Sequence, residues 1–191
     1  STRTIAVSGD SLKSPKYFST VIGSSISSLI NNDEINDINN YRFINGDPLS
    51  GSKVEYSDYI GFYNNCLSVI EEGNNYRMLG WLPFMYNSVP SLSKTSFSWL
   101  LSGAKKVNTN LNGEERAIVV TGEMEKYFPM DIFPMQLIKA CIRGDIEKME
   151  SLGIYEVVPE DFGLVDFSCT SKIEAQEIIK SGIQIMLKEV G

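Results

Sequence analysis

Histidine is absent from these 191 residues, so any chemistry must rest on other side chains. That removes Ser-His-Asp and Cys-His catalysis, zincin-type sites and every His-ligated metal or haem. A general acid or base would have to be Asp, Glu, Lys, Tyr or Cys. The three cysteines, Cys66, Cys141 and Cys169, sit at wide, unpatterned spacings. Cys141 falls on an apolar helical stripe, Cys169 lies beside a helix start and Cys66 flanks a strand, so each reads first as a small buried residue. Residues 46–53, Gly-Asp-Pro-Leu-Ser-Gly-Ser-Lys, have the glycine spacing of a phosphate-binding loop. The final pair is inverted, however: the Lys must precede the Mg²⁺-binding hydroxyl, and no helix is expected to follow. A Gly-Pro turn accounts for these residues. The remaining cluster is Glu125, Lys126 and Asp131, charges punctuating the otherwise apolar, proline-bounded loop that carries Tyr127, Phe128, Pro129 and Met130. Aromatics and Met beside a few charges suit a docking surface; the competing reading is a connector in which Asp131 caps the helix begun by Pro134. No catalytic, cofactor-binding or metal-ligating set emerges.

The elements that must position these residues change character along the chain. Residues 4–7 and 16–22 read as strands separated by turns, and Ile26, Leu29 and Ile30 share one face of a short helix. An Asn/Asp-rich loop over 31–40 leads to a strand at 41–44. Strand, strand, short helix, strand is the order of a β-grasp module. Residues 67–70 and 76–81 read as a hairpin, 91–106 as partly helical and 116–121 as a strand. From Glu123 the hydrophobic period becomes helical. Pro134 opens a helix with Leu137, Ile138 and Cys141 on one face, and Gly144 ends it. Asp145 caps the next helix, Pro159 starts another, and Ser171 with Glu174 has the spacing of a capping box. The last helix carries Ala175, Ile178, Ile179, Ile183, Met186, Leu187 and Val190 on one stripe. The expectation is an α+β chain: a β-grasp-like domain over 1–58, a β-rich extension with a short helix over 59–122, and a small helical bundle over 123–191. The scattered tyrosines and phenylalanines read mostly as core.

Composition sets outer limits. The chain carries 17 basic and 24 acidic residues, net −7, with 42% apolar residues. Residues 1–80 hold 6 basic and 9 acidic groups and residues 81–191 hold 11 and 15, so no basic half or stripe exists to neutralise phosphates. Nucleic acid and direct membrane binding are therefore not expected. The longest plain apolar run, 117–120, is far from the roughly 20 residues of a membrane-spanning helix. An odd cysteine count and the lack of an Asn-x-Ser/Thr sequon or signal peptide point to a reducing, cytoplasmic setting.

One stretch carries a more specific signal. Gly122, Glu125, Lys126, Pro129, Asp131, Ile132, Pro134, Gln136 and Leu137 follow a spacing that resembles a signature of the A subunit of bacterial Na⁺-translocating NADH:quinone reductases. Residues 44–51, 59–63 and 67–73, with Gly80-Trp81, Asn112-Gly113 and Arg116-Ala117, are similar to that family in the same order. The resemblance spans nearly the whole chain and only the C-terminal part of the family's protein. It implies a soluble-ligand-binding β-grasp domain followed by a helical bundle, peripheral on the cytoplasmic face of the bacterial inner membrane. The partners implied are other subunits of the complex, chiefly a membrane-embedded one. The complex would use NAD, flavin and ubiquinone, with no cofactor in this part, and Glu125, Lys126, Tyr127, Phe128 and Asp131 become candidates for a partner or quinone contact.

The sequence departs from related proteins near Cys169. The C subunit of the Rnf electron-transport complex carries clustered cysteines there for iron–sulfur ligation, whereas this chain has Val165, Asp166 and a single Cys169. It looks like a cluster-binding bundle without its ligands. The alternative to the reductase reading is a stand-alone β-grasp ligand-binding module of the polysaccharide-export type, with no redox role.

Overall fold

The computed structural model describes residues 2–30, 35, 37–73, 77–79, 82, 100 and 106–190. The chain is mixed α+β and divides into two compact units, Ser1–Asn112 and Gly113–Gly191. The second unit thus begins ten residues before Glu123.

The first unit is built on a five-stranded sheet. Strands β1 (Thr2–Ser8) and β2 (Lys16–Val21) form an antiparallel hairpin with Ile5 opposite Phe18. A one-turn helix, α1 (Ile26–Leu29), follows. Then come β3 (Tyr41–Asn45), β4 (Ser52–Val54) and β5 (Cys66–Glu71), and the strand order is β2-β1-β5-β3-β4. β5 runs parallel to β1 and antiparallel to β3. The period-two pattern of β1 explains the register, since Ile5 and Val7 are buried while Thr2 and Thr4 are exposed. Ile26, Leu29 and Ile30 do share a buried face, packing with Ile5, Val7, Phe43, Leu67 and Val69. Where β5 ends, Arg42 Nε donates to Glu72 Oε2 at 3.0 Å and its Nη2 to Oε1 at 2.5 Å. Thr109 Oγ1 adds a third donor to the same carboxylate.

The loop with phosphate-loop spacing is a turn closed on itself. Asp47 Oδ1 accepts from the backbone N–H of Leu49 and of Ser50, and β4, not a helix, follows at Ser52. The first arm of the expected hairpin, 67–70, lies in β5, whose two neighbours are β1 and β3; the second arm over 76–81 and the helix expected over 91–106 fall largely outside the described residues.

The second unit is helical: α2 (Glu123–Tyr127), α3 (Pro134–Arg143), α4 (Ile146–Ser151), α5 (Gly163–Ser168) and α6 (Ala175–Val190), with single 3₁₀ turns at Ile154–Glu156 and Pro159–Phe162. α3 buries Met135, Leu137, Ile138, Ala140 and Cys141 and ends at Gly144 in the left-handed conformation. Asp145 accepts from the Lys148 N–H, as its capping position requires. α6 approaches α3 closely at Gly182, where an added Cβ would stand 2.5 Å from Cys141 Sγ.

Several expectations need correction. Residues 116–121 form no strand, since no neighbouring strand offers them a ladder. Instead Arg116 donates its N–H to Ser171 O, and Ile118 packs on the helical core while Val119 and Val120 stay exposed. Ser171 forms no capping box, because its hydroxyl donates to Ala117 O and Lys172 takes a left-handed φ of 53°. The cap of α6 comes from α5: Asp166 accepts from the N–H groups of Ala175 and Gln176 and from Gln176 Nε2. Leu187 is 67% exposed, and the buried stripe of α6 runs through Ala175, Ile179 and Met186. The aromatics are less buried than their abundance suggests. Tyr17, Tyr59, Phe62, Tyr63, Phe133, Tyr155 and Phe167 are all exposed.

Candidate functional site

The loop singled out by sequence resolves into a short helix and a turn that display some of its residues and bury others. α2 begins after Gly122, whose φ of 70° suits glycine, and Thr121 Oγ1 accepts from the Glu123 N–H. Met124 and Phe128 are buried, and the Phe128 ring lies 4.7 Å from that of Phe162 at a tilt of 48°. Phe128 is therefore a core residue and not part of an exposed aromatic surface, because the one-turn α2 brings it over the same face as Met124. Tyr127 is half-buried. Lys126 is exposed and donates to Glu123 Oε1 at 2.6 Å, which raises the pKa of its ammonium. Glu125 is half-buried, and its Oε2 has no hydrogen-bond partner among the described residues. An orphan carboxylate oxygen is costly unless a donor reaches it.

Asp131 is exposed but does not cap α3. Phe133 occupies the cap position, makes no side-chain cap bond and is 63% exposed. Pro134 makes this arrangement cheap, since proline at the first helical position lacks one of the N–H groups a cap would satisfy. The structure thus places Lys126 and Asp131 on the surface, Glu125 and Tyr127 half in, and Phe128 fully in. Sequence reasoning misses Phe133; the signal is its place immediately before Pro134, which turns the side chain at a helix entry away from the core.

Ionisable groups elsewhere in this unit serve structure. Burial pushes the Cys141 thiol up to about 11, so it is a poor nucleophile at neutral pH. Cys169 is 3% exposed. Burial raises the Asp166 pKa, partly offset by the donors of Gln176 and Ala175. Among the described residues no group of three or more His, Cys, Asp or Glu could hold a metal ion, and no helix is long and apolar enough to cross a membrane.

One groove in the first unit, of about 210 Å³, is lined by residues that include Tyr41, Phe43, Lys53, Val54, Tyr56 and Glu72. That is below the roughly 300 Å³ at which ligand pockets begin, and three charged side chains, Lys53, Glu55 and Glu72, share its wall. The glycine turn at 46–51 points no helix N-terminus at a phosphate.

The fold and site together define a mixed α+β chain whose candidate residues make a surface and a set of internal ties. Residues 4–56 match the family model described as the NQRA C-terminal domain. The chain is 34% identical over 192 residues to the Na(+)-translocating NADH-quinone reductase A subunit of Neisseria meningitidis serogroup C, covering 98% of this chain and 42% of that protein. The corresponding proteins of Pasteurella multocida and Haemophilus influenzae are 35% and 34% identical over 193 and 190 residues, with 42% of each covered. The chain is thus related along nearly its whole length to the C-terminal part of the A subunit of Na⁺-translocating NADH-quinone reductases, and spans about two fifths of those relatives.

Proposed function

We propose that the chain is a non-catalytic part of the peripheral A subunit of a Na⁺-pumping NADH:ubiquinone oxidoreductase, on the cytoplasmic face of the membrane. It docks that protein to the other subunits, chiefly a membrane-embedded one. The complex uses NAD, flavin and ubiquinone, and this part holds none of them. The observation that carries the reading is the identity of 34% sustained over 98% of the chain. The finer architecture proposed is a β-grasp domain followed by a helical bundle. Its support is the short helix after the first hairpin, the parallel pairing of β1 with β5, and the common core of α3, α5 and α6.

In this reading the exposed end of α2 and the turn after it, with Lys126, Asp131 and Phe133, contact a partner protein of the complex or border the access route of the quinone. Charge reversal at Lys126 should weaken co-purification with the other subunits while moving the melting temperature little, since surface substitutions change stability by about 0.5 kcal/mol or less. Variants that melt several degrees lower yet assemble normally would make the loop a connector.

A further inference from the structure

Three exposed aromatics of the first unit lie on one turn. Tyr59, Phe62 and Tyr63 are 67%, 61% and 88% exposed and lie within five residues. The turn that carries them is held rigidly. Ile60, between them, is buried, and its N–H donates to Ser24 O at 3.0 Å. The N–H of Ile26 donates to Asp58 O and that of Asn64 to Gly61 O, at 3.0 and 3.1 Å. Gly61 leaves room for Asn45, whose Nδ2 stands 2.7 Å from where a Cβ would be. Arg3 donates from Nη1 to Phe62 O and lies 5.7 Å over the Phe62 ring, and the Phe62 and Tyr63 rings meet edge-on at 5.0 Å. Rings held in place on a rigid turn lose little entropy on binding, which is the property of hot-spot residues.

The rim of this turn is acidic. Asp58 adjoins Tyr59 and accepts from the Glu55 N–H, with Glu55 itself exposed. The turn at 46–51 lies alongside, Asn64 Nδ2 being 3.7 Å from the Cβ position of Gly46, and it presents Asp47. Burial opposes ionisation of Asp47, but the Ser50 hydroxyl and the Leu49 and Ser50 amides outweigh it and keep the carboxylate below its usual range. Against these three carboxylates stand Lys53 and Arg3, the latter over the Phe62 ring, so the named charges sum to one negative.

We propose that the Tyr59–Tyr63 turn is a docking surface for an apolar protein segment flanked by Lys or Arg, carried by another subunit of the assembly. The acidic rim selects the occupant. An anionic lipid surface would be repelled, and a second copy would set like charges against each other across a two-fold contact. This inference rests on the reading that the chain works within a multi-subunit complex, but it concerns a surface separate from the α2 turn.

The test is made with the chain expressed together with the other reductase subunits in its host. A photo-crosslinking benzoylphenylalanine at position 63 should give an adduct, mapped by mass spectrometry to a Lys/Arg-flanked apolar segment of another subunit. The same probe at Tyr17, 81% exposed on the edge strand, should not. Phe62→Ser with Tyr63→Ser should cut co-purification about tenfold or more without changing the melting temperature, and Asp58→Lys should act in the same direction. An adduct with a second copy, sedimentation with phosphatidylglycerol vesicles, no adduct at 63, or unchanged co-purification of the double variant would each overturn the surface. If the unaltered chain co-purifies, such a failure leaves the functional reading standing. If the unaltered chain itself fails to co-purify with the reductase subunits, both fall.

Discussion

Gly182 and Cys141 mark a close approach of two helices of the second unit. With Cys141 Sγ 2.5 Å and Met149 Sδ 3.4 Å from any added Cβ, Gly182→Ala forces α6 away from α3 or drives the thiol out of its rotamer. Such overpacking costs about 1–3 kcal/mol, and the better helix propensity of alanine offsets less than about 1 kcal/mol of it. Cys141→Ala removes the sulfur, so the double variant should recover much of the loss, as chemical denaturation of the four proteins would show. Additive losses would mean that the helix backbones, not the sulfur, set the limit. Asp166 makes the complementary case. It accepts three N–H donors at the start of α6, so Asp166→Ala should destabilise the unit by about 1–2 kcal/mol, the range for loss of a helix cap. Ser171→Ala should leave the α6 terminus capped, because its hydroxyl serves Ala117 O.

At the scale of elements, hydrophobic period reveals strands and helices but not their partners. Strands 4–7, 16–22, 41–44 and 67–70 and the helix opened by Pro134 are legible, because burial on one side writes a period into the sequence. The parallel β1–β5 pairing is not, since it joins segments some 60 residues apart and leaves no local mark. The caps mislead for a related reason. Ser171 and Glu174 have the right spacing, but which carboxylate or hydroxyl faces the open N–H groups of α6 depends on how α5 folds back. The candidate loop stands out by its composition, while the inward turn of Phe128 follows from the helical start of α2.

The tie between β3 and the end of β5 gives a test with a defined pH dependence. Arg42 holds the Glu72 carboxyl below its usual 4.5, with Thr109 assisting against the cost of burial. A depressed folded-state pKa means that this stabilisation is complete above 4.5 and is lost as pH falls through the lowered value. A double-mutant cycle on Arg42→Ala and Glu72→Gln should give a coupling of about 1 kcal/mol at about pH 7, the upper range for a partly exposed, two-pronged pair. The coupling should fall away as the pH drops through the lowered pKa of Glu72. A coupling that persisted in acid would show that packing of the Arg42 stem, and not its charge, ties the strands.

For the whole molecule, the placement of thiols decides whether the helical unit can act as an iron–sulfur carrier. A cubane cluster needs about four thiolates, commonly three of them in one close run. This chain has three cysteines in all, and Cys66 belongs to the sheet unit. In the helical unit Cys141 is wedged against Gly182 and Cys169 is 3% exposed. The neighbouring positions are taken up structurally: Val165 is fully buried and Asp166 caps α6. The core that holds this unit together is side-chain packing among Phe128, Leu137, Ile138, Phe162 and Ile179, each worth about 1.5–3 kcal/mol when fully buried. The chain reconstituted anaerobically with iron and sulfide should therefore stay colourless after desalting. Cys169→Ser should fold and assemble almost as the parent does, losing about 1 kcal/mol for placing a hydroxyl in a buried site. Stoichiometric iron and sulfide with a visible charge-transfer band, abolished by Cys169→Ser, would show that the unit opens to bind a cluster with ligands from more than one chain.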